Sequence, residues 1–259
     1  MLLNAFILAL AITPLVAAHG KVVSVTGDAG GNGTALGIKG GVVPGTGPNS
    51  KTQVDTTIFP STNIRTDGLG RTTGGGKNTL SLLVDAMALS GTRLPQISPG
   101  GSLAGTYRIV TADGAGPLQA VLDPTATGRF SAGIPLTVVA QIPGTKGNFV
   151  VAKAKTETET ETETKTVGRG TLWQRARDVA AAAVGKRAPN VNRDFAFRFE
   201  VPAGTTCNGT LAGMTGVCLV KIANPSKAGP FGGVVPVQLA GAGDAGANGA
   251  TKCGRAFTA

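Results

Sequence analysis

The chain has 259 residues, and its 24 Lys and Arg exceed its 14 Asp and Glu to give a formal net charge of +10. Its 40 glycines and 15 prolines favour short strands joined by turns, and they argue against a parallel α/β fold, which needs a helix between most strands. One His and three Cys give no zinc-type spacing, and one Trp and one Tyr without a basic-aromatic motif argue against nucleic acid as a partner.

The first element is an apolar run from Leu2 to Leu15 that ends in small residues up to Ala18. Such an ending suits signal peptidase, so residues 1–18 are predicted to be a signal peptide and His19 the mature amino terminus. The run is shorter than the roughly 20 apolar residues that a bilayer needs, and no second such stretch follows. We therefore expect a secreted, extracellular or wall-associated protein without a transmembrane anchor; a buried N-terminal strand is the alternative.

Seven apolar stretches with period-two or continuous patterns, bounded by Gly and Pro, predict β-strands. They are Lys21 to Thr26, Gly105 to Thr111, Ile134 to Ile142, Phe149 to Ala154, Phe195 to Val201, Cys218 to Ala223 and Val234 to Leu239. Leu80 to Leu89 has helical spacing and predicts one short helix, although a strand remains open. The expected fold class is all-β: an immunoglobulin-like antiparallel β-sandwich that forms a single domain over residues 19–259.

Residues 153–193 are predicted to be an insertion that interrupts the sandwich. Four Thr-Glu repeats run from Thr156 to Glu163, and a basic stretch follows from Thr171 to Val184. Because alternating polar residues leave neither face to bury, we expect disorder for the repeats and a short solvated helix for the basic stretch. Lys186-Arg187 is a candidate site for a dibasic processing protease.

Three cysteines, Cys207, Cys218 and Cys253, fit an oxidising compartment with one disulfide and one odd thiol. Cys207 and Cys218 are close enough in sequence to join neighbouring strands, so we predict that pairing. Asn32 and Asn208 each begin an Asn-Gly-Thr sequon and are predicted glycosylation sites in a secreted chain. The positive charge favours an anionic partner, such as an acidic wall polysaccharide or membrane headgroups, unless it mainly serves solubility.

Residues for hydrolytic chemistry are scarce. Glycoside hydrolysis needs two carboxylates, and outside the Thr-Glu repeats the only Glu is Glu200, inside a predicted strand. A Ser-His-Asp triad would depend on His19, and the chain has no Gly-x-Ser-x-Gly elbow. Residues 71–78 (RTTGGGKN) lack the first Gly and the final Ser or Thr of a phosphate-binding loop, so they predict a turn.

His19 offers different chemistry, because a mature N-terminal His adds its α-amine to its imidazole and the two nitrogens can chelate copper. Two nitrogens from one residue form half a site, and the chain has no second His. At this point His19 is either a copper ligand or an incidental residue at a cleavage junction.

Six stretches together carry a family resemblance. They are His19-Gly20 with VVSVTG, then GGNGTALG, LPQISPGG, TYRIVTADGAGP, DFAFRFEVPAGTTCNGT and CLVKIANPSKAGPFGGVVPVQ. The chain resembles the fungal secreted, appressorium-associated virulence proteins, the Egh-like or GAS/MAS-type cell-surface proteins, over most of its mature length. Members of this family are similar to lytic polysaccharide monooxygenases in their expected sandwich and mature N-terminal His, which implies copper-dependent oxidation of a wall polymer such as chitin.

The same resemblance implies a second copper-binding His within the stretch T-x-H-x-x-x-x-D-G-A-G-P. Aligned on Asp113 to Pro117, that position is Arg108. A guanidinium is always protonated and only donates hydrogen bonds, so it cannot ligate copper, and its charge beside the α-amine would repel a cation. Relatives are also expected to carry thiols where this chain has Leu69 and Val234 or Val235, so fewer disulfides would stabilise this fold.

These observations lead to one leading hypothesis and two alternatives. The leading one is a secreted fungal cell-surface or wall-associated protein that acts in host penetration or adhesion, without catalysis or a cofactor. The enzyme alternative is a copper-dependent polysaccharide monooxygenase that uses His19 with an unconventional ligand, for which Asp113 is the nearest carboxylate of the motif. The third is a module that binds wall polysaccharide through its basic surface. For that module Phe231 is the candidate surface aromatic unless it anchors a turn in the core, and the positions of Tyr107 and Trp173 are open.

Overall fold

A computed structural model describes residues 20–35, 54–72, 74–88, 93–149 and 188–241. The predicted signal peptide, His19, Trp173, Lys186-Arg187 and Cys253 lie outside these residues, as does most of the predicted insertion. Over the described ranges the chain forms antiparallel sheets and one α-helix, α1 (Leu80–Ala88), which confirms the all-β prediction. The strands are β1 (Gly20–Gly27), β2 (Gly30–Gly33), β3 (Thr57–Ile58), β4 (Arg71–Thr72), β5 (Gly76–Lys77), β6 (Gln96–Ile97), β7 (Ser102–Thr111), β8 (Gln119–Asp123), β9 (Ile134–Pro135), β10 (Thr137–Ala140), β11 (Asn190–Glu200), β12 (Gly209–Leu211), β13 (Met214–Ala223) and β14 (Phe231–Leu239).

The five-stranded sheet has the order β10-β11-β7-β1-β2, and all its neighbouring strands are antiparallel. Along the central strand β7, Leu103, Tyr107 and Ile109 are fully buried, whereas Ala104 and Arg108 between them keep some exposure. Alternate residues of a strand point to opposite faces, so this sheet has one face on the core and one outer face. The period-two pattern of the sequence predicted this arrangement for β7.

The nine-stranded sheet has the order β5-β4-β3-β14-β13-β8-β9, with β12 beside β13 and β6 beside β14. The pairing of β6 with β14 is parallel. Nearly every residue of β13 from Val217 onwards and of β14 is buried. Both faces of these strands are covered, so neither face needs polar residues, and this explains their continuous apolar runs.

Two hydrophobic cores cover the two faces of the nine-stranded sheet. The first lies between the sheets and includes Tyr107, Phe197 and Val220. The second lies on the other face, where Leu83 and Met87 of α1 pack with residues of β13, β14 and the long loops. Helix α1 begins after Thr79, whose hydroxyl accepts a hydrogen bond from the N–H of Leu82 at 3.3 Å. Within the described ranges no helix is both long and apolar enough to cross a membrane.

The predicted strand from Ile134 to Ile142 is in fact two strands in different sheets. Ile134–Pro135 pairs with β8, whereas Thr137–Ala140 pairs with β11. Pro135 has no N–H to continue a ladder, and Leu136 between the strands is buried in the first core. The chain therefore crosses from one sheet to the other at this point, which a period-two pattern cannot indicate.

The described residues on either side of positions 150–187 lie beside one residue, Ala112. The N–H of Phe149 donates to the carbonyl of Ala112, and the N–H of Ala112 donates to the carbonyl of Pro189. Phe149 lies outside any strand, which corrects the start of the strand predicted from Phe149 to Ala154, and residues 150–154 lie outside the described ranges. Strand β11 already begins at Asn190, within the segment 153–193 that the sequence assigned to the insertion.

The predicted disulfide between Cys207 and Cys218 is confirmed. Cys218 is fully buried on β13, and Cys207 lies in the loop before β12, which pairs with β13. The turn predicted for residues 71–78 is also confirmed, because Arg71–Thr72 pairs with Gly76–Lys77.

Candidate functional site

Arg108, the residue at the expected second copper position, lies on the outer face of the five-stranded sheet. The register pairs it with Lys21 of β1 on one side and with Asp194 of β11 on the other. Directly paired residues of neighbouring strands point to the same face, so these three side chains form a row across the sheet. Gly20, which follows His19 in the chain, is paired with Ile109, so the row lies next to the first described residue of β1.

The guanidinium of Arg108 is engaged by the carboxylate of Asp194. Its Nη1 lies 3.1 Å from Oδ1 and 3.3 Å from Oδ2 of Asp194. The two side chains are 35% and 49% exposed, so the pair contributes at most about 1 kcal/mol to stability. The pair matters more for the local charge than for stability, because the carboxylate of Asp194 offsets the positive charge of Arg108, for which the sequence analysis had named no partner.

Lys21 forms a second, buried ion pair with Asp55. Its Nζ lies 3.3 Å from Oδ1 of Asp55, and both side chains are almost completely buried. Burial raises the pKa of Asp55, and the ammonium of Lys21 opposes that rise. The two cations that face each other across β1 and β7 therefore each have a carboxylate partner, and the row Asp194, Arg108, Lys21, Asp55 carries no net charge.

Tyr107 and Gly20 are closely packed on the inner face of the same sheet. Tyr107 is fully buried, and its hydroxyl donates to the carbonyl of Phe231 at 3.4 Å. Burial holds the pKa of Tyr107 well above its usual range. A Cβ atom at Gly20 would clash with this hydroxyl and would lie 2.6 Å from the carbonyl oxygen of Gly114.

Replacing Gly20 with Ala should therefore lower the free energy of unfolding by about 2 kcal/mol, because a methyl group enters filled space. Urea titration of both proteins measures the difference. Ser24→Ala on the same strand is the control, since Ser24 is exposed and should tolerate the change. The double variant Gly20→Ala with Tyr107→Phe should recover part of the loss, because the clashing hydroxyl is gone. Equal stability of Gly20→Ala and the wild type would contradict this packing.

Three loops meet at the end of the sandwich where β1 begins: residues 112–118, 141–149 and 224–231. We call this region the three-loop end. Two of these loops contain the sequences ADGAGP and NPSKAGPF, which contribute to the family resemblance. The most specific motifs of the sequence therefore lie close together in space, although Ala115 and Asn224 are 109 residues apart in the chain.

Hydrogen bonds and close packing hold the loops of the three-loop end together. The side chain of Asn224 donates to the carbonyl of Ala115 at 2.8 Å, and its Oδ1 accepts the N–H of Phe231 at 2.8 Å. Ala115 in turn donates to the carbonyl of Gly147 at 3.0 Å. A Cβ atom at Gly147 would lie 2.6 Å from the Cα of Ser226, so the second and third loops are in close contact.

Comparison with known families identifies the group. A sequence model described as Egh16-like virulence factor matches residues 17–232. The chain belongs to the Egh16-like family. This membership supports a virulence-related role, and it confirms the resemblance found in the sequence motifs.

Two relatives come from Pyricularia oryzae. The appressoria-specific virulence factor GAS1 is 37% identical over 235 residues, which cover 88% of this chain and 74% of GAS1. The appressoria-specific virulence factor GAS2 is 26% identical over 143 residues, which cover 55% of this chain and 37% of GAS2. No solved structure matches the chain, so the expected similarity of the Egh16-like fold to polysaccharide monooxygenases stays a prediction.

In this Egh16-like chain, the described residues do not fit the second half of a copper brace. The position that the resemblance assigns to a nitrogen ligand holds Arg108, whose guanidinium has no lone pair to offer. Asp113, the motif carboxylate, accepts a hydrogen bond from the hydroxyl of Thr111 at 2.6 Å. Within the described ranges no three His, Cys, Asp or Glu side chains come together in a group that could hold a metal ion.

The aromatic residues differ from the expectation. Phe231 is fully buried at the start of β14, so its assignment as a surface aromatic is wrong and the alternative of a core Phe is correct. Of the aromatic side chains in the described ranges, only Phe149 and Phe195 keep partial exposure. Their rings lie 5.8 Å apart, which brings the end of the second loop against β11.

The predicted modification and thiol positions are also located. Asn32 on β2 and Asn208 before β12 are both exposed, and their glycosylation stays a prediction. Leu69 and Val234, where thiols were expected in relatives, are buried in the second core, whereas Val235 faces the first. Apolar packing therefore occupies all three positions in this Egh16-like protein.

Proposed function

We propose that this Egh16-like protein is a secreted, surface- or wall-associated virulence factor that acts in host penetration or adhesion by binding polymer, and not by copper-dependent oxidation. One observation carries the proposal: the guanidinium of Arg108 is held by Asp194 at 3.1 Å at the position where copper chemistry needs a second imidazole. The names of the two Pyricularia oryzae relatives support the role in virulence, since both are appressoria-specific virulence factors.

The chemistry of the ligands explains why this exchange matters. A copper site that begins with an N-terminal His has two nitrogens, and it requires at least one further donor with a lone pair. A guanidinium offers hydrogen-bond donors only, and its ion pair with Asp194 holds it in place. The arrangement is typical of a structural ion pair on the outer face of a sheet. It leaves an N-terminal His without the second imidazole that a copper site needs.

Copper binding tests the proposal directly. After removal of residues 1–18, the wild type should show no tight type-two copper signal in electron paramagnetic resonance that depends on His19. Arg108→His restores an imidazole at the expected position and should raise copper affinity about tenfold or more. Arg108→Gln is the matched control, because it removes the charge without adding a ligand, and it should not gain affinity.

A tight type-two signal in the wild type that His19→Ala abolishes would overturn the proposal in favour of a copper monooxygenase with an unconventional ligand set. Isothermal titration with copper on the same four proteins gives the affinities independently of the spectra.

A further inference from the structure

We propose that the three-loop end carries a binding site for a carboxylated polysaccharide chain, formed by Lys146, Phe149, Arg193, Phe195 and Lys227. We call these five residues the basic-aromatic patch. This inference deepens the proposed function and rests on it, since it assigns the polymer class and the surface that binds it.

The aromatic part of the patch is the pair Phe149 and Phe195. Their rings are 5.8 Å apart and inclined at 45°. Both pack against the first core with one side and keep partial exposure on the other. The guanidinium of Arg193 lies over the ring of Phe195, with 5.5 Å from Cζ to the ring centroid. An apolar surface with a cation beside it matches the apolar C–H face and the charged group of an acidic sugar.

The basic part consists of Lys146, Lys227 and Arg193, which are all exposed. The ion pairs that the structure shows between described residues, Lys21 with Asp55 and Arg108 with Asp194, do not include them. Their charges are therefore available to an anionic ligand, and they contribute to the net charge of +10.

Contacts between the loops bring the backbone positions of these residues close together. Lys146 occupies a tight turn with a positive φ of 51°, closed by hydrogen bonds between Thr145 and Asn148 of 2.9 Å in both directions. Phe149 follows this turn directly. Lys227 follows Ser226, which is in close contact with Gly147 of the same turn. Because the loops already contact each other, little backbone conformational entropy is lost when a ligand binds.

The charges of the patch and the position of the exposed apolar side chains favour a carboxylated polysaccharide over a membrane surface. Insertion into a membrane needs protruding apolar side chains. The large apolar side chains that the described ranges expose most, Val138 at 39% and Val139 at 58%, lie on β10 and not in the patch. Strand β10 pairs with β11 at Arg198 to Glu200, several residues along the strand from Arg193.

Binding to polygalacturonate tests the site, with fully methyl-esterified pectin as a probe that has the same backbone without the charges. The patch variant combines Lys146→Asn, Arg193→Gln and Lys227→Gln; Asn is chosen at position 146 because it tolerates a positive φ. At low salt it should lose about tenfold or more in affinity for polygalacturonate, and the loss should shrink as salt screens the charges. The wild type should bind the esterified polymer far more weakly.

The matched control combines Arg71→Gln, Lys77→Gln and Arg129→Gln, which removes the same charge from exposed residues outside the patch. It should lose less than about threefold, because distant charges act only through the general field. Equal losses in both variants would overturn the patch and leave the proposed polymer binding intact. Binding to chitin or glucan but not to polygalacturonate would overturn the carboxylated-polymer assignment alone, whereas a wild type that binds none of these polymers would overturn the proposed function itself. Tighter binding to phosphatidylserine vesicles than to polygalacturonate would overturn the polysaccharide assignment.

Discussion

Replacing Asp123 with Ala should lower the free energy of unfolding by about 3 to 5 kcal/mol. This side chain lies at the end of β8 and is 1% exposed. One carboxylate oxygen accepts the N–H and the hydroxyl of Thr125, and the other accepts the N–H groups of Thr127, Gly128 and Arg129. Ala would leave four backbone donors of one loop without this partner, and the loop has no other regular structure to satisfy them.

Guanidinium titration of wild type and Asp123→Ala measures the loss. Asp123→Asn is the informative control, because it keeps one acceptor oxygen and replaces the other with an NH₂ group. Its free energy of unfolding should lie between those of the wild type and Asp123→Ala, since the donors of only one oxygen lose their partner. A loss below about 1 kcal/mol for Asp123→Ala would mean that water satisfies these groups in the folded protein.

The stability of the protein should rise by about 2 kcal/mol between pH 7 and pH 9.5 because of Lys221, and Lys221→Met should abolish that rise. Lys221 is fully buried on β13, within the second core. Its Nζ donates to the carbonyl of Thr66 at 2.6 Å and lies 4.4 Å from the ring centroid of Phe59 and 5.1 Å from that of Phe130.

Burial lowers the pKa of Lys221 from its usual 10.5 to about 8, although the charge of Asp67 opposes the shift. In the unfolded chain the ammonium keeps its usual pKa, so between these two values only the unfolded state holds the proton. Unfolding then takes up a proton, and stability increases with pH across this window. Below about pH 8 both states are protonated, and the folded state bears the full penalty of a buried cation.

Urea titrations at several pH values separate this effect from a general change in stability. Lys77→Met is the control, because it removes one ammonium group from an exposed position and not from the core. Measurements should stay below about pH 10, since the raised pKa of Tyr107 makes the folded state lose stability once Tyr107 ionises in the unfolded chain. An identical rise in Lys221→Met and the wild type would contradict the assignment.

Local patterns in the sequence predicted β1, β7, β11, β13, β14 and the helix, but not β8, which lies between β13 and β9. The alternation around Tyr107 and the continuous apolar run before Ala223 each reflect how many faces of a strand are covered. The split at Pro135 was missed because a period-two pattern does not specify which sheet a strand joins.

Contacts between distant residues could not be predicted from local patterns. Lys221 stands in an apolar run, and its acceptor in Thr66 lies 155 residues away. Arg108 and Asp194 are 86 residues apart, so the resemblance indicated a lost ligand but not the carboxylate that engages the new side chain. Phe195 was predicted only as a strand residue. Its partial exposure depends on its contact with Phe149, which is distant in the sequence.

Phe149 and Pro189, at the two ends of positions 150–187, both hydrogen-bond to Ala112: the N–H of Phe149 donates to the carbonyl of Ala112, and the N–H of Ala112 donates to the carbonyl of Pro189. When the ends of a loop are already held together, each doubling of its length adds only about 0.6 kcal/mol of closure entropy. The number of residues between Phe149 and Pro189 can therefore change at little cost in closure entropy to the folded sandwich.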